Sequence, residues 1–336
     1  MRATIYDVAE RAKVSIATVS RVLNGRAKVT DETRARVMEA VEALNYRPSP
    51  VARGLAMRAT SVLGLFHQSF QSNYAAQVIS GAESEAAACG FALLAIQIEG
   101  KEWADLMRMP GRADGVIVTA SPDNEAFLQA LAHAGTPTVL LGHARHDLKM
   151  DGVVPDNSQG TVAALEHLVA HGRKRIAHIA GPHWSTNAVE REQAYRATMA
   201  EHGLAVPDGY LQVGEYNFIS GTTAMEKLLA LPEPPDAVFC ANDMMAMGAM
   251  QAIAGAALRV PEDIAVVGFD GLEAGEYMTP PLSTVFQPLE DIGRIAVRLL
   301  VDRIKSPDAA VQEEVVATKL IARGSCGAPD EHEDME

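Results

Sequence analysis

The apolar residues of the first 46 positions recur at helical spacing in three short segments. The positions expected to face a shared core are Ile5, Val8, Ala9, Ala12, Val19, Val22, Leu23, Val37, Ala40, Val41 and Leu44. Only Lys13 and Val14 separate the first segment from the second, which leaves room for a sharp turn and nothing longer. The pattern predicts three short helices, the first two forming a helix-turn-helix.

Residues suited to cap these helices lie at each predicted start. Thr4 and Asp7 have the spacing of a capping box, in which each side chain accepts from the other's backbone amide. Ser15 can cap the second helix, and Thr30 or Asp31 the third.

The second helix presents small, polar and basic side chains on its outer face. These residues are Ile16, Ala17, Ser20, Arg21 and Asn24. Such a face is typical of a recognition helix that enters the major groove of DNA. A generic helical hairpin is the alternative interpretation.

A short segment with few helix-stabilising features, residues 49–56, follows the third helix. Ser49 can cap it and Pro50 suits a first turn, but it spans only about two turns and contains Gly54. Isolated helices shorter than about 12 residues are marginal in water. We therefore expect a linker that becomes helical only on contact with a partner.

From Ser61 onward, apolar strands alternate with amphipathic helices. The predicted strands are Ser61–His67, Phe91–Ile98, Gly115–Thr119, Thr138–Gly142, Arg175–Ala180, Tyr210–Val213, Ala237–Cys240, Ile264–Phe269 and Glu314–Ile321. The predicted helices are Tyr74–Cys89, Lys101–Met109, Asn124–Ala134, Asn157–His171, Val189–His202, Gly221–Leu231, Asp243–Ala257 and Pro288–Lys305. Two such series predict two doubly wound lobes with parallel sheets.

Polar and aromatic segments follow many of these strands. They are Gln68–Tyr74, His143–His146, Gly181–Arg191, Asn242-Asp243 and Asp270. Ligands of open α/β sheets bind beyond the carboxyl ends of the strands, so we expect a small-molecule pocket between the lobes.

The charge of the chain is divided unevenly. The net charge is −14, yet residues 1–60 contain 11 Lys and Arg against 6 Asp and Glu, a balance of +5. The remaining residues carry −19. Positive charge is therefore concentrated where the helix-turn-helix is predicted, as contacts with phosphates require.

Several other classes of protein are disfavoured by missing motifs. No dinucleotide fingerprint follows the first strand of either lobe, and there is no phosphate-binding loop or serine elbow. His167 and His171 stand four apart, but no partner lies at metal-ligand spacing, and a solvated pair is expected. No apolar run of about 18 residues or signal peptide is present, which predicts a cytoplasmic protein without a membrane span. Cys89, Cys240 and Cys326 are expected to be buried or incidental thiols. We expect no enzyme activity, cofactor or metal.

Residues 4–60 resemble the DNA-binding headpiece of the LacI/GalR transcriptional regulators. The matching motifs are Thr4-Ile-Tyr-Asp-Val-Ala, Val14-Ser-x-x-Thr-Val-Ser-Arg-Val-Leu-Asn24, Val29-Thr-x-x-Thr-Arg-x-x-Val37, Leu44-Asn-Tyr-x-Pro48 and Val51-Ala-Arg-Gly-Leu-Ala56. The body resembles the effector domain of the same family through Gly172-Arg-Lys-Arg-Ile176, Ala241-Asn-Asp-x-x-Ala-x-Gly248, Val260-Pro-x-Asp-Ile-x-Val-Val-Gly-Phe-Asp270 and Pro281-Leu-Ser-Thr-Val285. The resemblance extends to about Ser325.

The resemblance implies an all-α helix-turn-helix headpiece and an α/β periplasmic-binding-protein-like effector domain of two doubly wound parallel-sheet lobes. The implied divisions are a helix-turn-helix domain at 1–47, a hinge helix and linker at 48–60, an N-terminal effector lobe at 61–157 plus about 287–310, a C-terminal effector lobe at 158–286 plus about 311–325, and a disordered acidic tail at 326–336.

The resemblance also implies a homodimer on palindromic, double-stranded operator DNA. Arg21 would bond a guanine, while Ile16 and Ala17 would contact apolar groups of the major groove. Leu55 of the hinge would wedge between the central base pairs from the minor groove. The implied phosphate contacts are Thr4, Tyr6, Ser20, Asn24, Thr30 and Thr33, and the hinge contacts include Ala52 and Ala56.

A family pocket position is occupied by each of eight residues: Tyr74, Ser185, Asn187, Arg191, Tyr216, Asn242, Asp270 and Gln287. Arg191, Asn242 and Asp270 suit a vicinal diol, and the tyrosines suit the C–H face of a sugar. The implied function is a repressor of sugar uptake or catabolism genes. Alternatives are a purine corepressor in the same cleft and a solute-binding protein. Two local departures from the family are the stretch His67–Tyr74 and His143, which stands where some sugar-responsive members have an acidic residue.

Overall fold

The computed structural model describes residues 3–23, 29–46, 60–67, 73–98, 113–119 and 125–327. The chain divides into two compact units, Met1–Thr60 and Ser61–Glu336. The first unit contains α1 (Ile5–Ala12), α2 (Ile16–Leu23) and α3 (Asp31–Ala43). Val8, Val19 and Val37 are fully buried at its centre, which confirms the predicted inward faces.

The caps of these helices follow the sequence prediction. The Asp7 amide donates to Thr4 Oγ1, and the Thr4 amide donates to Asp7 Oδ2 over 2.7 Å, which confirms the capping box. Ser15 Oγ accepts from the Thr18 amide over 3.2 Å. Of the two candidates for the third cap, Thr30 takes the role, because its hydroxyl accepts from the Thr33 amide.

The second unit is an alternation of strands and helices. Its elements are β1 (Val62–His67), α4 (Asn73–Ala88), β2 (Ala92–Gln97), β3 (Gly115–Thr119), α5 (Glu125–His133), β4 (Thr138–Leu141), β5 (Asp151–Pro155), α6 (Asn157–Ala170), β6 (Ile176–Ala180), α7 (Thr186–Glu201), β7 (Leu211–Val213), α8 (Phe218–Leu229), β8 (Ala237–Cys240), α9 (Asp243–Gly255), β9 (Ala265–Asp270), β10 (Ser283–Phe286), α10 (Leu289–Lys305), β11 (Glu313–Val316) and β12 (Lys319–Ile321).

Within the described residues the strands form two six-stranded sheets. The first has the order β11-β5-β4-β3-β1-β2, and the second β12-β10-β9-β8-β6-β7. Every neighbouring pair is parallel except β10 and β12. Apolar clusters cover both sheets, with α4 and α10 on the first and α8 and α9 on the second. The two predicted lobes and their doubly wound architecture are confirmed.

Three strand predictions needed correction. The sequence prediction missed β5 and β10. β5 begins at Asp151 and ends at Pro155, which leaves only a very short apolar run between them, and the run Thr279–Leu282 before β10 contains two prolines. The single strand predicted over Glu314–Ile321 is wrong. Its first half pairs with β5 in the first sheet and its second half with β10 in the second sheet. The N-terminal lobe therefore continues through Val316 instead of ending near residue 310. The helix predicted at 101–109, most of the hinge and the end of the tail lie outside the described residues.

The chain passes between the lobes at three places, at residues 155–157, 286–289 and 316–319. Two of these passages touch, since the Asp156 amide donates to the Val316 carbonyl over 2.8 Å and Thr318 Oγ1 donates to the Asp156 carbonyl over 2.9 Å. Asn157 and Gln287, each almost fully buried, lie in two different passages. The passages therefore place buried polar side chains between the two lobes.

No helix in the described part of the chain combines the length and apolarity needed to span a bilayer.

Candidate functional site

The outer face of α2 is accessible, as its predicted role requires. Ile16, Ala17 and Arg21 are exposed, and Ser20 is half-buried. Among the other headpiece residues, Thr4, Tyr6 and Thr30 are exposed and Thr33 is half-buried. The predicted DNA contacts Asn24, Ala52, Leu55 and Ala56 lie outside the described residues. A basic side chain and two apolar ones thus share one open helical face.

Arg191 is the buried cation of the cleft. It lies on α7 with only 3% of its surface exposed. Its Nε donates to Asn157 Oδ1 over 2.8 Å, its Nη1 donates to the Ala241 carbonyl, and its guanidinium lies 3.5 Å from the centre of the Phe269 ring. Its Nη2 has no hydrogen-bond partner among the described residues. These contacts fix the guanidinium and leave one edge for a ligand.

Asp270 is the buried carboxyl of the cleft, at the end of β9. Its backbone has φ of 122°, a conformation that costs energy for a residue other than glycine and that collects at functional sites. Gln287 Nε2 donates to its Oδ1 over 2.7 Å, while the buried Gln287 Oε1 has no partner among the described residues. Burial raises the pKa of Asp270 to about 7, although Arg191 and the Gln287 hydrogen bond act to lower it. Near neutral pH this carboxyl therefore exists in both its protonated and its ionised form, so it can donate or accept a hydrogen bond.

Two tyrosines, one from each lobe, lie near Arg191 and Asp270. Tyr74 of α4 interacts electrostatically with Asp270, Arg191 and Tyr216, and burial raises its pKa above the ordinary value. Tyr216 lies against Gly181, where an added Cβ would overlap the tyrosine ring. Its hydroxyl is 3.0 Å from Ser185 Oγ. The structure therefore brings Tyr74, Tyr216, Arg191 and Asp270 together.

The three remaining predicted pocket residues support their neighbours. Asn242 Oδ1 caps α9 at the Met245 amide, and its Nδ2 donates to the Tyr216 carbonyl over 3.1 Å. Ser185 Oγ caps α7 at the Ala188 amide. Asn187 Oδ1 accepts from Asn157 Nδ2 over 3.0 Å. In this geometry Asn242 and Ser185 each hold both a helix start and the position of Tyr216.

The sequence prediction missed Asn157, Phe269 and the carboxylate Glu190. Asn157 Nδ2 donates to Glu190 Oε2 over 2.7 Å, in addition to its contacts with Asn187 and Arg191. Asn157 lies two residues beyond the end of β5, separated from it only by Asp156. Because that strand was not recognised, the position of Asn157 at a strand end could not be inferred.

His167 and His171 make ordinary structural contacts. Their rings are 4.1 Å apart, His171 Nδ1 is 2.8 Å from the His167 carbonyl, and His167 Nε2 is 3.0 Å from Cys326 Sγ. Among the described residues no group of three or more potential ligands could hold a metal ion. Cys240 and Cys326 are buried free thiols, and Cys89 is exposed.

The comparisons with known proteins cover both units. The family model described as bacterial regulatory proteins, lacI family, matches residues 4–49, and the periplasmic binding protein-like domain matches residues 165–326. The ribose operon repressor of Escherichia coli (strain K12) is 36% identical over 328 residues, covering 96% of this chain and 99% of that protein. The transcriptional repressor PurR of Vibrio cholerae serotype O1 (strain M66-2) is 35% identical over 311 residues, covering 91% and 93%.

Solved structures agree with this relationship. The lac repressor dimer bound to operator and the anti-inducer ONPF superimposes with a TM-score of 0.86 at 28% identity, covering 98% of this chain and all of that one. The complex of the transcriptional regulator CelR with cellobiose has a TM-score of 0.74 at 33% identity, covering 96% and 100%. The chain belongs to the LacI family of DNA-binding transcriptional regulators, with a helix-turn-helix headpiece and an effector-binding domain.

Proposed function

We propose that this regulator is a dimeric repressor of sugar uptake or catabolism genes that binds a small sugar or sugar derivative between its lobes. The observation that carries the proposal is the buried group Arg191, Asp270 and Gln287. It contains a guanidinium edge, a carboxyl with a raised pKa and an amide oxygen that has no partner in the described part of the chain. A vicinal diol supplies both donors and acceptors for such a set. Tyr74 and Tyr216 offer ring faces for the C–H surface of a sugar.

On the DNA side, Arg21 is proposed to read a guanine in each half of a palindromic operator. Ile16 and Ala17 would contact thymine methyl groups or the groove wall, and Leu55 would wedge between the central base pairs. The proposed backbone contacts are Thr4, Tyr6, Ser20, Asn24, Thr30 and Thr33, with Ala52 and Ala56 from the hinge. The exposure of the outer face of α2 supports this assignment.

We also infer that the chain has no enzyme activity. The relatives described above are transcriptional repressors, and the sequence offers no nucleophile elbow, dinucleotide fingerprint or phosphate-binding loop.

A purine ligand is the second candidate. It is favoured by the 35% identity to PurR of Vibrio cholerae and by the two tyrosines, whose rings can also stack on a flat base. In that case the ligand would tighten operator binding as a corepressor.

Thermal unfolding of the full chain with pentoses, hexoses, disaccharides, sugar phosphates, purine bases and nucleosides separates these candidates. A ligand at 100 times its Kd stabilises the folded state by about 2.7 kcal/mol. We expect a sugar to raise Tm, and Arg191→Lys and Asp270→Asn to abolish that shift. Arg173→Lys is the matched control, because Arg173 likewise donates two hydrogen bonds, in its case to the backbone carbonyls of Asp236 and Pro261, but lies outside the cleft.

Stabilisation by purines alone would establish the second candidate. No response to any of these compounds would overturn the sugar proposal. An operator gel shift with the active compound then shows whether it loosens or tightens DNA binding.

A further inference from the structure

His143 connects the two lobes at a point that the effector proposal does not use. It follows β4 in the first lobe, and its Nδ1 lies 3.2 Å from Oε2 of Glu313 on β11 of the same lobe. Its Nε2 contacts Oε1 of Glu190, which belongs to α7 of the second lobe. The Ala144 amide donates to the same Glu313 oxygen over 2.8 Å and holds that carboxylate in place.

Both nitrogens of the ring therefore face a carboxylate oxygen. A neutral imidazole has one N–H and donates to only one acceptor, whereas an imidazolium donates to both. Burial lowers the pKa of His143, but the hydrogen bonds and negative charges of Glu190 and Glu313 outweigh this effect and raise it overall. The contacts with Glu190 and Glu313 thus favour the protonated, positively charged form of the His143 ring.

Two other charged side chains near His143 pair with different partners. Arg145 of the same loop pairs with Glu125 and Asp147, and Asp151 of the neighbouring strand β5 pairs with Arg303. The charged groups that face His143 itself are Glu190 from α7 and Glu313 from β11.

The contact continues into the effector cleft. Glu190 Oε2 accepts from Asn157 Nδ2 over 2.7 Å, and Asn157 Oδ1 accepts from Arg191 Nε over 2.8 Å. Asn157 also lies in the first passage of the chain between the lobes. An unbroken series of side chains therefore joins the first lobe to the buried guanidinium.

We propose that protonated His143 latches the two lobes through Glu190, and that release of this proton frees the lobes to change their relative arrangement. The latch is a pH-dependent element of the regulator itself, present without any effector. Since the pKa of His143 is raised above its ordinary value of 6.5, the latch is closed at pH values below 6.5 and opens as the pH rises through the raised pKa. It does not rest on the identity of the effector.

Distances between spin labels on the two lobes test the latch in the full chain without ligand. The labels are attached to A126C on α5 and A197C on α7, two exposed positions, in a C89S background that removes the exposed native thiol. We expect one narrow distance distribution at pH 6 and a broader or shifted one at pH 9.

Two substitutions of His143 separate its charge from its bulk. His143→Lys keeps a positive charge at both pH values and should retain the narrow distribution throughout. His143→Gln keeps a hydrogen-bond donor without charge and should show the open distribution throughout. His202→Gln, at an exposed histidine, should behave as the unmodified chain.

The proposal is overturned if the distributions of the unmodified chain are the same at both pH values, or if a pH-dependent change persists in His143→Gln. A nuclear magnetic resonance titration gives a second measure. Glu190→Gln should lower the pKa of His143, and an unchanged value would show that the contact across the lobes carries no energy.

Discussion

Arg21 and Arg191 carry the same guanidinium in opposite environments. Arg21 is exposed on α2, where its charge is available to phosphates and to base edges. Arg191 is buried against Phe269, and Asn157 and the Ala241 carbonyl hold two of its three nitrogens. An exposed guanidinium can adjust to the positions that phosphates and base edges already have on DNA. A guanidinium that is held in place suits a small ligand, because less conformational entropy is lost on binding.

For Arg21→Ala we expect operator affinity to fall by about 1–3 kcal/mol, with relaxed preference at one base pair per half-site. The reason is that a bidentate bond to guanine discriminates among bases. The measurement is a set of gel shifts on operators substituted one position at a time. Equal weakening on every operator would assign Arg21 to a phosphate contact.

Asp270→Asn should change how the stability of the unliganded protein depends on pH. The pKa of Asp270 is about 7 in the folded protein and has the ordinary value of 3.8 in the unfolded chain. At pH values between these two pKa values, the folded state holds a proton that the unfolded chain has released. The free energy of unfolding therefore falls as the pH rises from about 4 through 7. At pH 8 we expect the variant to be more stable than the unmodified chain by up to about 4 kcal/mol.

Urea unfolding at pH 5 and pH 8 checks this expectation. At pH 5 the difference between the two proteins should be much smaller, because Asp270 is then protonated in the folded state. A parallel loss of stability with pH in both proteins would show that another group is responsible.

At the scale of elements, the first lobe depends on the close crossing of α4 and α10. Gly81 of α4 lies against the Glu290 backbone, and Gly293 of α10 lies against the Val78 carbonyl, so an added Cβ at either position would overlap backbone atoms. Ile292 and Ala296 pack on Val78 and Ala82 in the same interface. Glycine is needed here for close approach of two helices.

Gly293→Ala should therefore lower the free energy of unfolding by about 1–3 kcal/mol, since the helices must separate to admit the methyl group. Gly255→Ala is the matched control. Gly255 ends α9, and its added Cβ would meet nothing within 4 Å. There the smaller backbone entropy of alanine in the unfolded chain should raise stability by up to about 1 kcal/mol. Chemical denaturation of both variants measures the contrast, and equal effects would argue against the helix-crossing explanation.

At the scale of the whole molecule, the two units carry net charges of opposite sign. Residues 1–60 carry a balance of +5, and the rest of the chain carries −19. The basic unit is attracted to phosphates, while the net charge of the remaining residues disfavours contact with DNA. We therefore expect the headpiece to carry the DNA binding.

Operator affinity should fall steeply with salt, because each phosphate that is neutralised releases counterions and adds about −0.9 to the slope of log K against log salt. A fragment of residues 61–336 should lose operator binding and keep the Tm response to the active ligand. Fluorescence anisotropy with labelled operator at several salt concentrations measures the operator binding of the full chain and of the fragment, and thermal unfolding measures the Tm response of the fragment. Operator binding by the fragment that equals that of the full chain would refute the assignment of DNA binding to the headpiece.

Local patterns were sufficient to predict the helix-turn-helix, its caps and most strands and helices. Capping boxes and helical periodicity act over a few residues, so Thr4, Asp7 and Ser15 could be assigned without tertiary information. Apolar runs such as Ala237–Cys240 also identify buried parallel strands directly. The strands β5 and β10 were not predicted, because polar residues or prolines lie within or beside them.

The resemblance carried by the motifs supplied Arg191, Asp270 and the two tyrosines as pocket candidates, and the fold brings these four side chains together. It did not supply Asn157, which reaches Arg191 from 34 residues away in sequence. Nor could it supply the contact of His143 with Glu190, which joins different lobes. Such pairs depend on how the sheets and passages are placed in space.

The sequence by itself determined the class of protein, the helix-turn-helix and the charge division, because each is encoded in neighbouring residues or in fixed motifs. Tertiary structure alone decided the division of residues 313–321 between two sheets, the partners of Arg191 and the contact between the lobes at His143. The physical reason is that strand pairing and buried polar contacts join residues far apart in the chain. Their geometry exists only after the lobes have folded around the three passages.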